Sequence, residues 1–280
     1  MDRKKVTITD LQERKRQGKK ITMLTAYDYP MAHLVDEAGI DIILVGDSLG
    51  MVVLGYDSTV PVTMDEMIHH SRAARRGTRY AFLIGDMPFG SYQVTKEEAV
   101  RNAMRFMKEA GCDAVKLEGG DEVIDAAIAI VNAGIPVLGH LGLTPQTVSK
   151  LGGFKIQART AETAKSLIEQ ALKLERAGCF GLVLECVPDL VAQIIAEKLK
   201  IPVIGIGAGK YCDGQVLVLN DMVGLFDRFT PKFVKQYVRL SQPILEGLKK
   251  YKDEVEKGIF PAPEHAFSIK EEEIKKIKLK

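Results

Sequence analysis

Asp47, Ser48, Asp86, Lys116, Glu118, His140 and Glu185 stand at or beside the ends of short apolar runs, the kind of place where a folded chain keeps its chemistry. The first run, Ile42-Ile43-Leu44-Val45, is bounded by Gly46 and is too short for a helix; it reads as a strand buried on both faces. Asp47 and Ser48 follow, and similar runs stop at Asp86, Glu118, His140 and Glu185. An ionised carboxylate at the mouth of a buried strand is poorly solvated and needs a metal, a cation or hydrogen-bond donors. Taken singly, Asp47-Ser48 reads equally well as a helix cap, and Asp86 or Glu118 as a turn or cap acid. Three coincident caps explain the pattern poorly.

Asp47, Asp86, Glu118 and Glu185 gathered with one lysine would repel one another unless a cation sat among them. Oxygen ligands, with no histidine pair and no thiolate cluster, point to Mg²⁺ or a similar hard ion holding a chelating substrate. Lys116 lies two residues before Glu118, so on a strand both side chains share a face. A lysine there pairs with a substrate carboxylate or oxyanion, because an unpaired buried ammonium is expensive. Glu185, closing an apolar run, suits a general base. His140 stays open between a ligand-facing donor and a core histidine bonded to backbone. The stretch Gly205-Ile206-Gly207-Ala208-Gly209 reads either as a phosphate cradle or as a tight turn.

These residues need a scaffold that converges them. The periodicity predicts strands over 21–26, 40–46, 80–85, 114–117, 136–139, 181–184, 202–206 and 215–219. Helices are predicted between them over 30–38, 64–76, 95–110, 121–133, 160–177 and 188–199, with Thr63 and Glu66 as a capping box. A short helix over 8–17, capped by Thr9 or Asp10, precedes the first strand, and an amphipathic helix over 231–251 follows the last. About eight strands alternating with helices fit an α/β fold of the (β/α)8 TIM-barrel type, whose active sites sit at the C-terminal ends of the strands. A doubly wound open sheet is the alternative, but no GxGxxG opens a helix after the first strand. No linker composition interrupts the pattern, so residues 1–280 are expected to form a single barrel domain with a polar C-terminal tail.

Composition excludes several partners. The 39 basic and 37 acidic residues leave a net charge of +2, no basis for binding nucleic acid. No run approaches the ~20 apolar residues of a membrane span. The basic runs at 3–5, 14–20 and 270–280 read as solvated surface. Cys112, Cys179, Cys186 and Cys212 show no CxxC spacing, and the charged N-terminus lacks an apolar leader, so a soluble, cytoplasmic protein with reduced thiols is expected.

Longer segments carry a resemblance. TAYDYPMA (25–32), VGDSLGMVVLGYDSTVPVT (45–63), GDMPFGSY (85–92), AVKLEGG (114–120), PVLGHLGLTPQ (136–146), GGFKIQAR (152–159), LVLECVP (182–188), PVIGIGAG (202–209), DGQVLVLNDMVG (213–224) and FPAPEHAF (260–267) run almost end to end. Together they resemble the ketopantoate hydroxymethyltransferase family of the phosphoenolpyruvate/pyruvate barrel superfamily. Tyr56 stands where some relatives have histidine, and Ala158 where glycine is common. The resemblance implies transfer of a hydroxymethyl group from 5,10-methylenetetrahydrofolate to 3-methyl-2-oxobutanoate, giving ketopantoate for pantothenate synthesis. It implies Mg²⁺ on Asp47, Asp86 and Glu118, the oxo acid against Asp47, Ser48, Asp86 and Lys116 with His140 nearby, and Glu185 as proton acceptor. It also implies a homo-oligomer, a pentamer of dimers. Competing readings are a metal-dependent lyase or mutase on another 2-oxo acid, and a non-catalytic binding barrel. The first should carry a KKCGH-like gating loop, which is absent; the second should have lost some of Asp47, Asp86, Lys116, Glu118 and Glu185, and all are present.

Overall fold

A computed structural model describes residues 3–151, 153 and 155–277. Gly152 and Phe154 of the GGFKIQAR segment and residues 278–280 of the basic tail lie outside the described residues. The chain opens with helix α1 (Ile8–Arg16), strand β1 (Ile21–Thr25), α2 (Tyr29–Glu37), β2 (Ile42–Val45), the single turn α3 (Leu49–Val52) and α4 (Met64–Gly77). Then follow β3 (Phe82–Asp86), α5 (Lys96–Lys108), β4 (Ala114–Glu118), α6 (Ile124–Asn132), β5 (Val137–Gly142), α7 (Val148–Leu151) and α8 (Ala161–Arg176). The remainder is β6 (Gly181–Glu185), α9 (Asp189–Lys198), β7 (Val203–Ile206), β8 (Gly214–Leu217), α10 (Leu219–Met222), α11 (Ser241–Glu256) and α12 (Glu271–Ile274). The eight strands form one closed barrel in sequence order, each parallel to its neighbours, with Met23 of β1 beside Val216 of β8 at the closure. No helix among the described residues is long and apolar enough to cross a membrane.

Strand alternation divides the core in two. Phe82, Ile84, Ala114, Leu138, Phe180 and Val183 fill the barrel, with Phe82 and Phe180 edge to face at 5.5 Å. The intervening residues, such as Leu83, Val115, Leu117 and Leu182, face the helices. Leu11 of α1 is 1% exposed and plugs the floor of the barrel interior. The cap of α1 is Thr7, which forms a capping box with Asp10, rather than Thr9 or Asp10. Thr63 and Glu66 form the expected box on α4.

One further expectation narrows and another changes. Most basic N-terminal residues are exposed, as expected, but three of them are tied to acids at the barrel floor. Lys5 pairs with Asp113 at 2.7 Å, Arg14 with Asp41 at 2.8 Å and Lys15 with Asp213 at 2.6 Å. Each of those acids also accepts a backbone N–H from a barrel strand or its first residues (Leu83, Thr22 and Val203), so the cations neutralise carboxylates that the floor already needs. The last long helix begins at Ser241, not at residue 231, and residues 225–240 form no helix. Phe226, Phe229 and Phe233 in this stretch turn into the barrel mouth instead, so the contacts of the mouth override the local periodicity.

The glycine stretch after β7 is a tight turn. Gly207 has φ +62°, and a Cβ there would lie 2.8 Å from the Phe233 ring. Residues 207–213 lead directly to β8 with no helix between, so no helix N-terminus follows that would favour a phosphate.

Candidate active site

Register brings the polar groups together. Asp86 at the end of β3 pairs with Lys116 on β4, and Glu118 pairs with His140 on β5. Ala114 points into the barrel and Val115 and Leu117 point out, so Lys116 and Glu118 point inward as the two-residue spacing requires. The Lys116 ammonium donates to both oxygens of Asp86 at 2.7 and 2.8 Å and to Glu118 Oε1 at 3.2 Å. These side chains are almost wholly buried, at 5% exposed for Lys116 and 2% for Asp86 and Glu118.

Asp47 reaches the same place by a different route. On β2, Ile42 and Leu44 face inward, so strict alternation would turn Asp47 outward. The strand ends at Val45, however, and beyond it the Asp47 backbone N–H donates to Asp86 Oδ2 at 3.1 Å. Asp47 Oδ2 accepts from Gln146 Nε2 at 2.9 Å. Neither Asp47 nor Ser48 caps the following helix: α3 has no side-chain cap, and Ser48 Oγ lies 2.8 Å from the Tyr27 hydroxyl.

On the other side, His140 Nδ1 sits 3.1 Å from Glu118 Oε1. Its Nε2 lies 3.3 Å from Glu185 Oε2, near enough for charge attraction yet without a hydrogen bond. Glu185 ends β6, and Cys186 after it takes φ +51°, a left-handed conformation unusual for a side-chain-bearing residue. Gly142, at φ +95°, allows β5 to end against the Glu185 carbonyl, where a Cβ would approach to 2.2 Å. Ala158 in the facing loop also lies at φ +55°, which explains why glycine suits that position; here the chain accepts the strain.

Two residues that sequence reasoning missed brace the acids. Gln146 is 3% exposed, and its carboxamide donates to Asp47 Oδ2 and to the Met87 carbonyl, both at 2.9 Å. Its oxygen accepts from the Tyr92 hydroxyl at 2.6 Å, and its backbone N–H donates to Glu118 Oε2 at 3.2 Å. Tyr92 in turn accepts from the Glu118 backbone N–H at 3.0 Å. A glutamine in a loop and a tyrosine after Gly-Ser have no titratable signature at this pH and no periodic neighbours. The signal that could have found them is the pair of motifs they close, PVLGHLGLTPQ and GDMPFGSY.

The electrostatics follow from burial. Asp47 is pushed well above the usual carboxylate range by burial and by the neighbouring Asp86 and Glu118 carboxylates. Burial also raises Asp86, against the opposing pull of Lys116. Burial acts to raise Glu118 as well, but Lys116 and His140 outweigh it and hold it at about 2. Burial would depress His140, yet the Glu118 carboxylate beside it holds it up at about 9. One ammonium therefore faces Asp47, Asp86 and Glu118, and the pocket carries an acid excess.

That excess suits a divalent cation. Asp47, Asp86 and Glu118 each offer an oxygen, and these three atoms lie within 4.8 Å of one another. An all-oxygen set of buried carboxylates matches a hard ion of the Mg²⁺ or Mn²⁺ kind. The group opens into a cavity of about 860 Å³ that Ser48, Lys116, His140 and Glu185 also line.

Comparison with known proteins identifies the family. A family model described as ketopantoate hydroxymethyltransferase matches residues 5–263. The 3-methyl-2-oxobutanoate hydroxymethyltransferase of Syntrophomonas wolfei is 60% identical over 268 residues, covering 96% of this chain and 97% of that one. The protein of the same name from Heliobacterium modesticaldum is 58% identical over 269 residues, covering 96% and 98%. Among solved structures, a phosphonopyruvate hydrolase complex with oxalate and Mg²⁺ superposes with TM-score 0.60 at 12% identity, covering 96% of this chain and 94% of that one. A 2,3-dimethylmalate lyase of the PEP mutase/isocitrate lyase superfamily gives 0.59 at 13%, covering 93% and 91%. At these identities the two structures speak for the fold alone.

Proposed function

The chain belongs to the ketopantoate hydroxymethyltransferase family, and from that premise we propose how its mouth residues carry out the transfer. It is a one-carbon transferase that adds a hydroxymethyl group to 3-methyl-2-oxobutanoate in pantothenate synthesis. The observation that carries the site assignment is the convergence of Asp47, Asp86 and Glu118 within 4.8 Å, beside Lys116 and across one cavity from Glu185.

Asp47, Asp86 and Glu118 would hold the metal, proposed to be Mg²⁺. Bound there, a divalent cation supplies electron withdrawal from a 2-oxo acid and so acidifies the neighbouring C–H. Lys116 presents its ammonium to the substrate carboxylate, with Asp47, Ser48 and Asp86 around it. Water opens the methylene bridge of 5,10-methylenetetrahydrofolate, breaking both C–N bonds to give tetrahydrofolate and a formaldehyde-level carbon. Glu185 takes the C3 proton, and C3 adds to that carbon, whose oxygen takes up a proton to become the new hydroxyl. His140 links Glu118 to Glu185 and, protonated, turns a positive Nε2–H toward the base. An assay of ketopantoate formation tests the reading: product forms with Mg²⁺ and folate, stops with EDTA and returns with added Mg²⁺. Full activity in excess EDTA would remove the metal from the account.

The assembly proposed is a homo-oligomer, a decamer built as a pentamer of dimers. Supporting it, α11 has no buried residue while Ile244, Leu245, Leu248, Tyr251 and Val255 on it are all at least 43% exposed. Apolar area of that extent on one helix suits a protein contact. Light scattering coupled to size exclusion should give a mass near ten times 30.9 kDa, and a monomer mass would reject it. With all four cysteines free, the cytoplasm is the proposed compartment.

A further inference from the structure

The oxo acid leaves part of the cavity unexplained. Its proposed partners come from β2, β3, β4 and β6, while the wall beyond β8 carries Asp221 on α10, which no step above uses. Asp221 is 7% exposed, and its Oδ1 is buried with no hydrogen-bond partner. Among the described residues only Thr59, Ser71 and His140 share that condition; His140 Nε2 faces Glu185 at 3.3 Å, which leaves Thr59 as the other orphan lining the same cavity. Buried polar atoms are almost always satisfied, so orphans gathered around one cavity mark where a ligand's polar groups belong.

The chemistry around Asp221 narrows that ligand. Phe226 and Phe229 meet edge to face at 5.4 Å, and with Phe233 they give this wall an apolar, aromatic lining. Nothing but burial perturbs the carboxyl, which rises to about 6. No cation pairs with it among the described residues. A carboxylate in that setting is best met by two adjacent N–H donors on a flat ring, which form a bidentate, charge-assisted pair. Cations stand elsewhere: Lys155 and Lys232, both exposed, sit at the rim of the cavity.

We propose that Asp221 binds the pteridine end of the folate co-substrate, accepting from its N3–H and 2-amino group, with Phe226, Phe229 and Phe233 against the ring. The glutamate carboxylates then lie outward, toward Lys155 and Lys232. This rests on the hydroxymethyl-transfer reading given above.

The test compares tetrahydrofolate with its 2-desamino analogue by calorimetry on the full-length wild-type protein and Asp221→Asn. Wild type should bind the analogue at least tenfold more weakly than tetrahydrofolate. Asp221→Asn should bind tetrahydrofolate at least tenfold more weakly than wild type and should no longer distinguish the two. In the full reaction its KM for folate should rise at least tenfold, and its KM for the oxo acid less than twofold. The variant should melt no lower than wild type, because it loses an unpartnered buried carboxyl. Equal binding of the two ligands by wild type overturns the proposal without any variant. So does discrimination that persists in Asp221→Asn, or in Asp221→Ser should the first fail to fold. Failure of the underlying reading shows separately, as wild type that does not exchange the C3 proton of the oxo acid with solvent.

Discussion

Glu185→Gln stops the exchange of the C3 proton of 3-methyl-2-oxobutanoate with deuterated solvent, while the oxo acid and Mg²⁺ still bind. The amide has the shape of the carboxylate but takes up no proton, so the loss is that of a general base, roughly 10²–10⁴-fold. Position supports the role. The Glu185 side chain is 16% exposed where Glu118 is 2%, so it faces the cavity while the acids behind Lys116 are sealed. Proton NMR of the oxo acid in D₂O with Mg²⁺ follows the exchange directly and needs no folate. If Glu185→Gln exchanges at the wild-type rate, the base is another group.

Lys116→Met has the second large effect, and it shows in stability as well as activity. Among the described residues the lysine is the only ammonium within hydrogen-bond reach of Asp86 and Glu118, both 2% exposed. Methionine keeps the length and apolar stem but leaves the buried Asp86 carboxylate without its counter-charge and Glu118 with His140 alone. Breaking a buried pair in this way costs about 3–5 kcal/mol. Urea denaturation should show that loss in EDTA, and added Mg²⁺ should restore more stability to the variant than to wild type, because the ion binds the folded state where the charge deficit is greatest. Ketopantoate formation should be lost in both conditions. A variant as stable as wild type in EDTA would mean that Lys116 does not balance these acids.

The parts of this site that follow from alternation were legible in the sequence. Lys116 and Glu118 had to share a face because a strand repeats every two residues, and the apolar runs ended where the barrel opens. Asp47 was legible for a less secure reason: it lies past the last paired residue of β2, where the two-residue rule no longer holds, and its backbone bond to Asp86 sets its place. Gln146 and Tyr92 were not legible from alternation, since their importance comes from bonds to residues 99 and 26 positions away along the chain. The same limit explains residues 231–240. Their apolar spacing suits a helix, but Phe233 is claimed by the surface of Gly207, and a local rule cannot see a partner so distant. The pairings of Lys5, Arg14 and Lys15 were illegible for that reason too, because Asp113, Asp41 and Asp213 become their partners only once the strands are side by side.

That N-terminal clasp bears on how the molecule is made. Lys15 leaves the ribosome early, yet it grips Asp213 and the carbonyl of Ala196, both made near the end of the barrel. β1 likewise waits for β8. The floor and the ring therefore set together, late in translation, and until then the nascent chain carries unpaired strand edges that invite chaperones.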